Sequence, residues 1–201
     1  MPRTEAANQR VREEQRARIL DGARTVFARR GLAATMAEVA AAAGVSQGLA
    51  YRYFANKDEL YRALVAEAMQ TEAPPEEWPD RPGERLAVLL SKMLEGRREH
   101  PEFFNLLYHV MSDPSTPADL LRMVERRGKQ FTTELRRLIV EGQAAGEVAG
   151  GDPDQLVTVI VACLDGLARI AQRSSEQAGR HFPEAEIVLR MLRPAAEDRN
   201  R

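Results

Sequence analysis

Between residues 35 and 57 two helix starts and one helix stop follow each other closely, and no other stretch of the chain constrains the fold as strongly. Thr35-Met36-Ala37-Glu38 has the S/T-x-x-E form of a capping box, in which the Thr hydroxyl takes a free backbone N–H and the Glu reaches back to the cap. Alanines fill the helix that follows until Gly44, a residue able to supply the left-handed stop. Ser46 then caps a further short helix through Gln47-Gly48-Leu49-Ala50-Tyr51-Arg52-Tyr53-Phe54. Asn56-Lys57-Asp58-Glu59 opens the next, with Leu60 and Leu64 on one face. Two short helices joined by a Gly44-Val45-Ser46 turn have the length and spacing of a helix-turn-helix.

The rest of the chain is also read as helical. Ile19, Ala23, Val26 and Phe27 line one face of a helix expected from about Val11 to Arg30 and stopped by Gly31, preceded by a flexible arm over residues 1–10. The prolines at 74, 75, 79 and 82 interrupt any helix between Thr71 and Gly83, which puts a domain boundary there, with domains over 11–70 and 71–201. Leu86, Leu89, Leu90, Met93 and Leu94 resume helical spacing until His100-Pro101, and the next helix carries Phe103, Leu107 and Val110. Thr116-Pro117 and Asp152-Pro153 each read as a cap plus first-turn proline, and a last helix spans about Pro183 to Leu192. No segment alternates with strand period, so the expected fold is all-α, with about nine helices: an N-terminal three-helix helix-turn-helix domain, then a larger helical domain.

Charge is divided unevenly. Residues 1–57 hold 10 Lys+Arg against 5 Asp+Glu and the remainder 19 against 25, so a basic end of +5 is carried on an acidic body of −6 within a net charge of −1. Such asymmetry suits a nucleic-acid-facing N-terminus. No run approaches the roughly 20 apolar residues of a membrane span and no apolar signal segment opens the chain, so a cytoplasmic location without membrane partners is expected. The lone Cys163 rules out an intrachain disulfide and a thiolate metal site. His100 and His109 lack the i, i+4 spacing of a helical metal pair, and His181 is placed in a loop. With no nucleophile-base set and no metal cluster, no enzyme activity and no cofactor are expected.

Small residues at Ala37, Ala40, Ala41 and Ala43 let the first helix of the motif pack closely on the second, whose outer side offers Gln47, Tyr51, Arg52 and Tyr53 as hydrogen-bonding groups. A plain helical hairpin with its aromatics in a core is the competing reading of that geometry alone. The stretches Thr35-Met36-Ala37-Glu38-Val39-Ala40, Ala43-Gly44-Val45-Ser46-Gln47-Gly48 and Tyr51-Arg52-Tyr53-Phe54-Ala55-Asn56-Lys57-Asp58-Glu59-Leu60 together resemble the tetracycline-repressor (TetR) family of transcriptional regulators. The likeness covers about the first 70 residues, with Asp165-Gly166-Leu167 similar to a feature of the family's penultimate helix. Ala50 departs from it, standing where a bulkier apolar residue is common.

That resemblance implies phosphate contacts from Thr35, Tyr51, Tyr53 and Lys57, with Ser46, Gln47, Gly48 and Arg52 near the bases. Elementary chemistry fits the division. Thr35 opens a helix whose N–H groups and dipole favour an anion, and Lys57 brings an ammonium to the next helix start. Gln47 can pair with adenine N6/N7, Arg52 with guanine O6/N7 or with a phosphate, and Gly48 keeps the backbone close to the groove. Phe54 is assigned to the core.

Beyond the motif, Met93, Phe103, Phe104, Tyr108, Met111, Phe131, Cys163 and Leu167 are candidates to line an apolar pocket for a small-molecule effector of unspecified identity. The segment from Leu156 to Ile170 is apolar on most sides and asks for a partner. The resemblance implies that the last two helices form a four-helix bundle with a second copy, through Leu156, Ile160, Leu164, Val188, Met191 and Leu192. The resulting expectation is a homodimeric repressor of a palindromic DNA operator, released by its effector. The residues leave activation open, and the alternative is a non-catalytic helical small-molecule-binding protein with a vestigial helix-turn-helix.

Overall fold

A computed structural model describes residues 5–69, 78–173 and 183–194. Residues 1–4 of the expected arm, the Ala73-Pro74-Pro75 cluster and His181 lie outside the described residues. Among the described residues there are nine α-helices and no strand: α1 (Glu5–Arg30), α2 (Met36–Ala42), α3 (Gln47–Tyr53), α4 (Lys57–Met69), α5 (Pro82–Glu99), α6 (Pro101–Ser112), α7 (Ala118–Ala144), α8 (Pro153–Arg173) and α9 (Ala185–Arg190). A single 3-10 turn, Gly31–Ala33, follows α1.

Helix α1 begins at Glu5, well before the expected start near Val11. Apolar periodicity reports which turns are buried, not which are helical. Residues 6–16 are mostly polar and exposed, yet they are good helix formers without Gly or Pro, and Gln9 Nε2 donates to Glu13 Oε1 at 2.8 Å one turn on. The last helix is shorter than expected and gives way to a turn at Met191.

The chain forms two compact units that are not contiguous in sequence. The first contains residues 1–71 and 102–124, the second 72–101 and 125–201. Residues 102–124, assigned by sequence to the second domain, thus pack with the helix-turn-helix. In the first unit Ile19, Ala23 and Phe27 of α1 share a core with Leu60 and Leu64 of α4, Leu106 and Val110 of α6, and Leu120 and Val124 of α7. Phe27 and Tyr61 tilt against each other with ring centroids 4.8 Å apart. The second unit's core joins Leu86, Leu90 and Leu94 of α5, Leu135, Leu138 and Ile139 of α7, Ile160 and Leu164 of α8, and Val188 of α9. Among the described residues both cores are built of hydrophobic side chains, Tyr61 bringing the one phenol, as hydrophobic burial requires. Among the described residues no helix is long and apolar enough to cross a membrane.

Candidate nucleic-acid interface

The capping box forms at the start of α2. Glu38 N donates to Thr35 Oγ1 at 3.3 Å, while Glu38 Oε2 accepts from Thr35 N at 2.9 Å and Thr35 Oγ1 at 2.8 Å. The same carboxylate pairs with Arg30. These bonds, those from Thr35 first and the Arg30 charge after them, hold the Glu38 carboxyl below its ordinary range.

At the other end of α2 the chain turns through Gly44 at φ +64°, with Val45 N donating to Ala40 O at 3.0 Å. A side chain other than glycine would be strained there. Arg18 of α1 donates through Nη2 to the carbonyls of Ala43 at 3.3 Å and Gly44 at 3.5 Å. Close approach of α1 is made possible by Gly22, where a Cβ would lie 2.6 Å from Ala43 N.

Helix α3 starts on Ser46, whose Oγ accepts from Leu49 N at 3.1 Å, and ends on Phe54, whose N–H closes onto Ala50 O at 3.0 Å. Its buried side is narrow. Ala50 is fully buried and Phe54 is 2% exposed, so the small residue at position 50 is accommodated by direct packing and Phe54 is core as expected. Arg16 of α1 lies 5.5 Å above the Phe54 ring. The outer side carries Ser46, Gln47, Gly48, Tyr51 and Arg52, all exposed, with Thr35 exposed nearby. Tyr53 is half-buried against the first unit's core. Lys57 is half-buried too, and its ammonium donates to Leu32 O in the turn after α1. A cation at the first position of α4 opposes the helix dipole; Asp58 and Glu59 in the same turn offset it, and the bond to Leu32 draws the ammonium into the domain. A phosphate at Lys57 would have to compete with that bond.

This arrangement, six of the eight predicted residues exposed around one capped two-turn helix, can enter a major groove and donate to phosphates and base edges. Residues 19–64, which run from the packed part of α1 into α4, match the family model of bacterial regulatory proteins, tetR family. Over this segment the chain is similar to the TetR family. The HTH-type transcriptional regulator TtgR of Pseudomonas putida is 42% identical over 60 residues, 29% of each chain, and the probable regulator ArpR of the same species matches to the same extent. The chain thus aligns with less than a third of the length of these curated relatives. Solved structures share the whole fold. The MbdR regulator from Azoarcus sp. CIB superposes with a TM-score of 0.72 at 22% identity, covering 88% of this chain and 94% of that one. A TetR-family regulator from Agrobacterium tumefaciens gives 0.71 at 19% identity, covering 90% and 98%, and HlyIIR, a hemolysin II transcriptional regulator, gives 0.64 at 20%, covering 90% and 98%.

The rest of the chain places the remaining predicted residues less simply. Met93, Phe131, Cys163 and Leu167 all pack, half-buried, against the second unit's core. Phe103, Phe104, Tyr108 and Met111 belong to α6 in the first unit, where the Phe103 and Phe104 rings meet edge to face at 4.8 Å. A hollow of about 410 Å³ beside α1, lined by Arg16, Asp21, Arg24 and Glu67 among others, and one of about 30 Å³ near Arg98 and Pro183 contain none of these eight residues.

Most of the predicted dimer residues lie inside the chain's own fold. Ile160, Leu164, Val188 and Leu192 are 6% exposed or less and fill the chain's own core, Leu156 is half-buried, and only Met191 is open, at 63%. Helix α8 is apolar most of the way round, so sequence could not tell its inner stripe from its outer one. The outer stripe is Val159, Ala162, Gly166 and Ile170, with Ile187 and Met191 exposed on and just after α9. Sequence also missed Arg97, 9% exposed, which donates to Met93 O at 3.1 Å; burial pulls its guanidinium down to about 10, opposed by the charge of Asp165. Charge alone could not have revealed it, because Arg97 and Arg98 look alike in sequence and only one faces inward.

Proposed function

We propose that the chain is a ligand-responsive repressor that binds a palindromic operator as a homodimer and is released when a small molecule occupies the second unit. The observation that carries the DNA half of this reading is α3 itself: capped at both ends, anchored by Ala50 and Phe54, with Gln47, Gly48, Tyr51 and Arg52 exposed. Ser46, Gln47, Gly48 and Arg52 take the base edges; Thr35 and Tyr51 take phosphates, with Tyr53 and Lys57 in a supporting part.

One helix of this length reaches only a few base pairs, so a two-fold partner is needed for a long site. The exposed stripe on α8, together with Ile187 and Met191, supports a second copy as that partner, since monomers rarely leave such faces in water. The half-buried apolar groups Met93, Phe131, Cys163 and Leu167 support an apolar effector. Burial of α6 and the start of α7 in the core of the reading unit supports a route from effector to DNA, because any displacement of Leu106 or Val110 is felt by Leu60 and Leu64 of α4. The effector must prefer one conformation: moving a two-state balance from 1:99 to 99:1 takes about 5.5 kcal/mol of differential affinity.

Gel shifts across a salt series test the reading. Phosphate neutralisation makes log K fall linearly with log salt, and compounds that release the complex identify the effector class. Salt-independent retention, or no retention at low ionic strength, would remove the DNA-binding half.

A further inference from the structure

Two arginines of α1, two residues apart, reach the turn that leads into the reading helix and the residue that ends it. Arg18 Nη2 stands 3.3 Å from Ala43 O and 3.5 Å from Gly44 O, at the turn that precedes α3. A Cβ on Gly44 would itself meet that nitrogen at 3.3 Å, so the guanidinium lies directly over the turn. Arg16 lies with its guanidinium carbon 5.5 Å above the ring of Phe54, the residue that ends α3.

The anchorage of α3 is otherwise thin. The helix has seven residues, its closest helical neighbour is α2, and it buries only Ala50 before Phe54. Carbonyls at the end of α2 carry the negative end of a helix dipole and lack intrahelical partners, which a guanidinium supplies. The ring face of Phe54 attracts a cation in the same way. No carboxylate among the described residues forms an ion pair with Arg16 or Arg18.

We propose that Arg16 and Arg18 are positioning residues for DNA reading: they hold the two ends of α3 to α1 and so fix the angle at which Gln47 and Arg52 meet the base edges. The proposal rests on α3 being the reading helix. A small tilt of a two-turn helix moves its side chains off the base edges but leaves general attraction to phosphates intact, so the arginines act on specificity more than on affinity for DNA as such.

The test uses the full chain, a duplex enriched by the wild-type protein from a random library, and calf-thymus DNA. Arg16→Gln and Arg18→Gln are each expected to bind the enriched duplex about three- to tenfold more weakly. Affinity for calf-thymus DNA and the salt slope should stay at wild-type values, with the thermal midpoint checked to confirm folding. Phe54→Leu should reproduce the Arg16→Gln loss, and the two together should fall short of the sum of the singles. Equal losses on both DNAs, with the salt slope reduced by about 0.9 per arginine, would make these residues phosphate contacts and overturn the proposal. Unchanged affinities would overturn it too. A wild-type protein that enriches no duplex would overturn the proposal together with the reading of α3, an outcome distinct from insensitive variants of a selective protein.

Discussion

Gly22 and Ala43 touch backbone to backbone: a methyl group on Gly22 would lie 2.6 Å from the nitrogen and 2.8 Å from the Cα of Ala43. Two effects of Gly22→Ala therefore oppose each other. Helix propensity alone favours alanine by about 1 kcal/mol. Overpacking against backbone that cannot rotate away costs about 1–3 kcal/mol and should win. The variant is expected to unfold at lower urea and to lose duplex affinity, because Ala43 leads into the turn before α3. A rise in stability would show that α1 and α2 are less tightly apposed.

The Glu38 carboxyl is held low by Thr35 and Arg30, which sets a sign for acid. A depressed folded-state value stabilises the fold above the unfolded value near 4.5, and that contribution disappears as pH falls through the folded value. Glu38→Gln should therefore melt below wild type at neutral pH, with the gap closing as pH drops beneath the ordinary carboxylate range. A gap constant with pH would mean that the carboxylate does not hold the cap.

How far the site could be read from sequence depended on the kind of interaction. The box at Thr35 and Glu38, the stop at Gly44 and the cap at Ser46 are local chemistry between near neighbours, and all form in place. The start of α1 was misplaced because its first turns bury little and so leave no apolar period. Side-chain reach across the fold left no trace either. Nothing in the sequence distinguishes Arg18, over the Gly44 turn, from Arg12, or says that Lys57 bonds Leu32. On α8 the pattern showed that two faces are apolar, but Ile160 and Val159 are separated only by about 100° of rotation, and packing decides which one is inside.

Lys57 gives a third prediction. Lys57→Gln removes the bond to Leu32 O and should cost about 1 kcal/mol of stability for a half-buried charged donor. If the ammonium acts mainly inside the domain, the salt slope of DNA binding stays at its wild-type value. A slope lowered by about 0.9 would assign Lys57 to a phosphate instead.

The two stripes of α8 should separate under mutation. Leu164→Ala, at a site 1% exposed, should lower stability by about 2–5 kcal/mol as a cavity opens. Val159→Glu and Met191→Glu, at sites 52% and 63% exposed, should leave the isolated fold within about 0.5 kcal/mol of wild type while shifting sedimentation towards monomer. A dimer insensitive to both charges would place the interface elsewhere.

Selection of duplexes from a random library by the purified chain is the most direct measurement of whether α3 reads sequence. The expected result is an inverted repeat with half-site centres about 34 Å or a multiple apart, and with Gln47→Ala flattening the preference at one position in each half by roughly 1–3 kcal/mol. A pool that stays random through successive rounds, or an enriched site read equally well by Gln47→Ala and Arg52→Ala proteins, would contradict it.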